Sequence, residues 1–182
     1  RFLPWGILVV SIIITVLVTI LIHDSIHDAA EQRFNSQIDV TVYAIENRIK
    51  TYEQVLGGAT GLFAASDHVT REDWKKFVDD QGAGDRFPGI QGVGVSKIIY
   101  GKDNLASHIE QIRSKGFPNY TVWPEGDRKE YHPVVYLEPF DERNQRAFGY
   151  DMYSESIRHD AMEIARSSGM SALSGKITLV QE

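Results

Sequence analysis

The feature that most constrains this chain is an uninterrupted apolar run near its start. Residues Trp5 to Ile22 read WGILVVSIIITVLVTILI, with no charge and only Ser11, Thr15 and Thr19 as polar breaks. Those hydroxyls can bond back to carbonyls one helical turn earlier, so a lipid phase tolerates them. The run is about 18 residues long, and at about 1.5 Å each it covers about 27 Å of a hydrocarbon core of roughly 30 Å. Its aliphatic side chains favour insertion by roughly 4 to 8 kcal/mol. A cleaved signal peptide is the competing reading, but no small-x-small cleavage site precedes His23. The sequence therefore predicts a transmembrane helix over 1–24. Arg1 flanks one end, and Asp24 and Asp28 follow the other. By the positive-inside rule that places the N-terminus in the cytoplasm and the rest in the periplasm or outside the cell.

About 160 of the 182 residues remain beyond the run, enough for one domain with its own core. The chain has no cysteine, which removes disulfides, thiol catalysis and zinc–thiolate sites while leaving the periplasm open. A net charge of −6 without a basic cluster argues against nucleic acid as a partner.

A long helical pattern follows, taken as a stalk over 25–66. Ile38, Val42, Ile45, Ile49, Tyr52, Leu56, Ala59 and Phe63 alternate in steps of four and three, an a/d heptad seam. Such a seam needs cover. Either a second copy supplies it, giving a parallel homodimer, or the following domain packs along it. Its length favours the dimer. Gly57 and Gly61 mark a place where the helix loosens or the domain packs closely.

The remainder, 67–182, predicts an α+β domain with an antiparallel sheet. Thr70 opens a helix with Asp73 as capping partner; Trp74, Phe77 and Val78 form its apolar face, and Gly82 and Gly84 end it. Gly89–Tyr100 reads as a strand, Lys102–Lys115 as a helix, and Tyr120–Trp123 and His132–Leu137 as strands. A polar turn at Asp141–Asn144 leads to a strand over Arg146–Asp151, then a helix from about Ser154 to Ser167 ending at Gly169. Ile177–Val180 begins another strand, and the chain stops inside it, so a domain truncated at the C-terminus is expected.

Several residues invite catalytic or metal readings and fall short. His23 and His27 stand at i,i+4 beside Asp24 and Asp28, a conceivable zinc pair, but solvated polar residues where a helix leaves the membrane account for them better. Glu138, Asp141 and Glu142 crowd a turn without a nucleophile or base and read as a solvated turn. Gly92–Gly94 lacks the spacing and following helix of a phosphate loop. Tyr131 and Tyr136 alternate with apolar residues along an expected strand, as core or pocket lining, which makes Tyr136 a ligand-binding candidate. No catalytic residue, metal site or cofactor is expected in this chain.

Four further stretches stand in order: RFPGIQGVGVSKII from Arg86 to Ile99, GFPNYTVWPEGDRKEYHPVVYLEPF from Gly116 to Phe140, GYD from Gly149 to Asp151, and RHDAMEIARSSGMSALSGKITLVQE from Arg158. With the preceding span and helix, this order resembles the CHASE family, the extracytoplasmic sensor domain of receptor histidine kinases and cyclases that includes the plant cytokinin receptors. The resemblance implies a stalk helix leading to PAS-like subdomains, a small-molecule ligand in the membrane-distal one, and a location in the cell inner membrane. It also implies an output domain beyond this chain, a histidine kinase or a diguanylate cyclase. A membrane-tethered binding or adaptor protein without catalytic output is the alternative.

In that family an aspartate at a strand end bonds the adenine edge of a cytokinin, and a backbone leucine after the next helix completes the contact. By resemblance Asp151 and Leu173 stand at those positions. A carboxylate accepts N–H donors of a purine edge, and burial strengthens such bonds. The ligand expected is an adenine-type or other small organic molecule, and Asp151 has a competing role as cap of the helix that follows.

Overall fold

The computed structural model describes the backbone of residues 3–82 and 89–181; in the first helix it describes the side chains of Gly6, of residues 10–19 and of residues from 31 onward. The chain is α+β, a long helix with short antiparallel strand pairs, and it divides into two compact units, Arg1–Thr51 and Tyr52–Glu182.

The described residues of the first unit are all helical, the larger part of α1 (Leu3–Ala64). Thr15 Oγ1 donates to the Ser11 carbonyl and Thr19 Oγ1 to the Thr15 carbonyl, each at 2.8 Å. This is the back-bonding that lets a hydroxyl sit in an apolar helix face. Among the described residues no helix is long and apolar enough to cross a membrane. The span expected over Trp5–Ile22 is thus unsupported; Trp5, Ile7 to Val9 and Ile20 to Ile22 lie outside the described side chains. Further along, Ile38, Val42 and Ile45 of the heptad seam are exposed.

In the second unit the end of α1 meets the domain through a stripe that shares only Ala59 with the seam. Val55 is buried, with Ala59 and Leu62 packed beside it, spacings of four and three that form one stripe. Of the seam residues expected here, Leu56 and Phe63 stay largely exposed, while Tyr52 and Ala59 are half-buried. In this unit the stripe that packs overlaps the seam at Ala59.

Helix α2 (Arg71–Gln81) starts at a complete capping box: Thr70 Oγ1 accepts from the Asp73 N–H, and the Asp73 carboxylate accepts from the Thr70 N–H at 3.0 Å. It ends at Gly82, whose φ of 69° is left-handed. Trp74 and Val78 are buried against Val55, Val69 and Val93, with Tyr136 and Val95 packed alongside. Arg71 ties this helix to the sheet. Its Nη2 donates to the Val135 carbonyl at 2.9 Å, and its guanidinium lies 4.5 Å from the Phe117 ring centre and 5.0 Å from that of Phe148.

The strand expected over Gly89–Tyr100 is two pieces, β1 (Val93–Ser96) and β2 (Ile99–Tyr100). Helix α3 (Lys102–Ser114) follows, then β3 (Glu130–Tyr131) and β4 (Val134–Glu138). β1 pairs antiparallel with β4, with Gly94 opposite Leu137 and Val95 opposite Tyr136, and the register shifts between Val95 and Ser96. β2 pairs antiparallel with β3. Because side chains alternate across a strand, Val95 and Tyr136 face the Trp74 cluster. Leu137 faces a second cluster, with Val134, Ala147, Met152 and Val180.

Other expected strands do not form ladders. Over Tyr120–Trp123 the only pairing among the described residues is a bridge from Trp123 to Tyr150. The polar turn at Asp141–Asn144 is instead α4 (Glu142–Gln145), with Asp141 Oδ1 accepting from the Asn144 N–H at 2.8 Å. The strand over Arg146–Asp151 is replaced by tight turns: Ala147, Phe148 and Tyr150 each donate their N–H to the carbonyl three residues earlier. Glu138 is buried rather than solvated and accepts from the Phe140 N–H at 3.0 Å. Helix α5 (Ser156–Ser168) ends at Gly169 as the sequence predicts. Residues Ile177–Val180 form no strand, since no partner strand lies beside them among the described residues.

Candidate ligand-binding site

Asp151 is fully enclosed, with 0 % of its surface exposed. Backbone geometry puts it there. Gly149 adopts φ 83°, and a Cβ on it would stand 2.0 Å from the Thr121 carbonyl oxygen, so the chain passes the neighbouring backbone at a distance only glycine permits. The Asp151 N–H then donates to the Trp123 carbonyl at 2.7 Å, and Pro133 bridges Asp151 from the other side.

The two carboxylate oxygens have different surroundings. Oδ1 accepts from the main-chain N–H of His132 at 2.8 Å and of Tyr153 at 3.1 Å. The second contact caps a 3-10 turn over Met152–Ser154. Helix α5 has its own cap, Glu155, whose carboxylate accepts from the Ile157 and Arg158 N–H groups at 3.0 Å. Capping by Asp151 is therefore real but concerns the turn before the helix. Oδ2 is buried without a hydrogen-bond partner among the described residues, and Arg128 Nη1 stands 3.5 Å away. Arg128 also donates twice to the Pro124 carbonyl.

Flanking Asp151 in sequence, Tyr150 and Met152 line a cleft of about 250 Å³ between the sheet and the C-terminal segment. Gly92 and Gly94 form part of its wall, with Leu137 and Arg158. A Cβ on Gly94 would press to 3.1 Å from the Leu137 side chain. Arg158 is buried, with Nη2 donating to the Thr178 carbonyl at 3.0 Å and the guanidinium 5.2 Å from the Tyr150 ring centre.

On the α1 side, a larger cleft of about 800 Å³ has a mostly apolar lining that includes Phe63, Trp74 and Met162. Its polar edge is a chain of contacts. His132 Nε2 meets Glu130 Oε1 at 2.7 Å, the His132 ring stacks on Tyr153 at 3.7 Å, and Arg166 pairs with Glu130 and Glu163. The Tyr153 hydroxyl donates to Glu163. Burial, and then that bond, push the Tyr153 phenol up to about 12. The Arg166 hydrogen bond holds Glu130 below the usual carboxylate range.

The three residues singled out from sequence do not share one cleft. Tyr136 lies on the Trp74 side of the sheet; its hydroxyl donates to the Val69 carbonyl at 2.9 Å, and burial raises its phenol. Leu173 is 73 % exposed in an irregular segment. Arg128, His132 and Arg158 were not anticipated. Arg128 and His132 sit in the GDRKEYH stretch and Arg158 opens RHD, so the signal was their place in the motifs, not any periodicity. The His23 and His27 pair lies outside the described side chains, and no group of three metal-ligating residues occurs among the described residues.

Compared with known protein families, residues 67–182 match the model of the CHASE domain. The comparison with curated proteins finds no match.

Proposed function

The chain belongs to the CHASE domain family, matched over more than half its length, and from that premise we propose how it binds and signals. CHASE domains are extracytoplasmic sensors of signalling receptors and bind small molecules. The proposal adds that Asp151 is the polar anchor of the ligand. Its support is the asymmetry of that carboxylate: Oδ1 is held by two main-chain N–H groups, while the buried Oδ2 has the Arg128 guanidinium at ion-pair distance, 3.5 Å, and no hydrogen bond among the described residues. Buried acceptors are ordinarily satisfied, and a ligand N–H, such as that of an adenine-type ring edge, supplies the missing donor.

In this reading the ligand meets Asp151 Oδ2 on the side of Arg128, since the cleft lined by Tyr150 and Met152 does not include Asp151 itself, and the main chain near Leu173 closes over it. Tyr136 acts from the opposite face of β4, through the strand it shares with Leu137. The apolar run over Trp5–Ile22 anchors the receptor in the membrane as a single span before the sensor. The exposed seam of Ile38, Val42 and Ile45 pairs with a second copy. A difference in ligand affinity between two arrangements of domain and stalk drives the signal, toward a histidine kinase or diguanylate cyclase. A tethered binding protein without output is the second reading, favoured only if the stalk fails to pair.

The test is a thermal-shift screen of the chain, in nonionic detergent, against adenine derivatives, amino acids and small acids. A compound that raises the melting temperature of the wild type and not of Asp151→Asn supports the assignment. A ligand that stabilises both equally contradicts it.

A further inference from the structure

A third cleft, of about 620 Å³, lies between the segment after α1, β1, α3 and β4. Unlike the others it is basic. Lys97, Lys115, His68 and His108 line it, with Ser96 and Gln111 as neutral hydrogen-bonding groups and Asp67 as the only carboxylate among its lining residues. Lys97 and Lys115 are exposed, so their charge is free to meet a solute.

His108 makes the cleft more than a patch of lysines. It is 5 % exposed, its Nε2 lies 3.1 Å from the Tyr120 hydroxyl, and its Nδ1 is buried without a partner among the described residues. Burial, then repulsion from Lys97 and Lys115, push its pKa down to about 4, so the ring is neutral at physiological pH. We take the tautomer in which the Tyr120 hydroxyl donates to Nε2, which places the single ring proton on Nδ1. That leaves a buried N–H donor with no acceptor, on the wall of a cleft flanked by two ammonium groups. Buried donors rarely stay unpaired.

We propose that this cleft is a second ligand site, distinct from Asp151, for a small anion of the carboxylate or phosphate type. The anion would accept from His108 Nδ1–H and sit between Lys97 and Lys115, with Gln111 and Ser96 completing its hydrogen bonds. The cleft volume falls in the range of small-molecule sites, about 300 to 1,000 Å³, which fits an organic acid or phosphate ester better than a bare ion. The site touches Ser66 to Val69, the link from α1 to α2, so its occupancy would bear on the stalk without involving the Asp151 carboxylate.

The experiment titrates the ¹⁵N-labelled chain, in nonionic detergent, with sodium succinate and separately with sodium phosphate, against sodium chloride at equal ionic strength to remove general screening. At least one probe should give a saturable shift of the His108 ring nitrogens that chloride does not. The double variant Lys97→Gln/Lys115→Gln should weaken that binding about tenfold or more, while Lys102→Gln, outside the cleft, leaves it unchanged. Both lysines are exposed, so the double variant folds. Failure of both probes to saturate, or equal affinity in the double variant, overturns the proposal.

Discussion

The Asp151 carboxylate holds the main-chain N–H of His132 at 2.8 Å, joining the turn after GYD to the segment between β3 and β4. The same oxygen takes the Tyr153 N–H, so one side chain fixes two backbone segments nineteen and two residues away. A residue so placed is structural before any ligand arrives. Asp151→Ala should therefore destabilise the domain by about 2 to 4 kcal/mol, since it strands two buried N–H groups. Asp151→Asn keeps an acceptor oxygen and should cost about 1 kcal/mol. Urea unfolding of the three proteins checks the order.

Gly149 and Gly169 both have positive φ, 83° and 69°, yet their surroundings differ. An alanine Cβ at Gly149 would collide with the Thr121 carbonyl, whereas nothing lies within 4 Å of one at Gly169. Gly169→Ala should cost about 1 kcal/mol, the left-handed penalty alone. Gly149→Ala should cost roughly 3 kcal/mol or more, or prevent folding, because the backbone must move. Denaturation midpoints of the two variants decide it.

His108 makes a pH prediction. Its folded pKa is lowered to about 4 from an ordinary 6.5, chiefly by burial, so the unfolded chain binds a proton that the folded one refuses. Stability attributable to His108 is complete above pH 6.5 and is lost as the pH falls toward 4, by at most about 3 kcal/mol. His108→Gln should flatten this part of the stability profile. An unchanged slope between pH 6.5 and 4 in that variant would assign the loss elsewhere.

On the stalk, Ile45 is exposed and Ile49 half-buried, one step apart on the seam. Cysteines at Ile45 and Ile49 should crosslink two copies efficiently, and cysteines at Glu46 and Arg48 should not. Uniform crosslinking at all four positions would count against a paired seam.

Helix positions were legible in the sequence where local chemistry decides them. Thr70 with Asp73, and Gly82 and Gly169 at helix ends, act through neighbours within four residues, and those helices start or stop where expected. Strands depend on partners far along the chain, and there the reading failed. Arg146–Asp151 has a strand-like composition, but Asn144 and the freedom of Gly149 let it turn instead. The stripe that packs, Val55, Ala59 and Leu62, overlaps the heptad seam only at Ala59 and is set by the shape of the domain it meets. The candidate anchor Asp151 was legible only as the last residue of GYD, through the family resemblance. Arg128, 23 residues earlier, approaches it solely through the fold.

At the centre of the proposed function, Asp151 Oδ2, which faces Arg128 at 3.5 Å but takes no hydrogen bond among the described residues, meets a ligand donor. The most direct measurement of this contact is the affinity of a screened ligand for wild type and for Asp151→Asn, by calorimetry at a temperature where both are folded. The account predicts a loss of about tenfold or more in the variant, the worth of a buried charge-assisted hydrogen bond. Equal affinity, with the ligand's stabilisation intact, would contradict it.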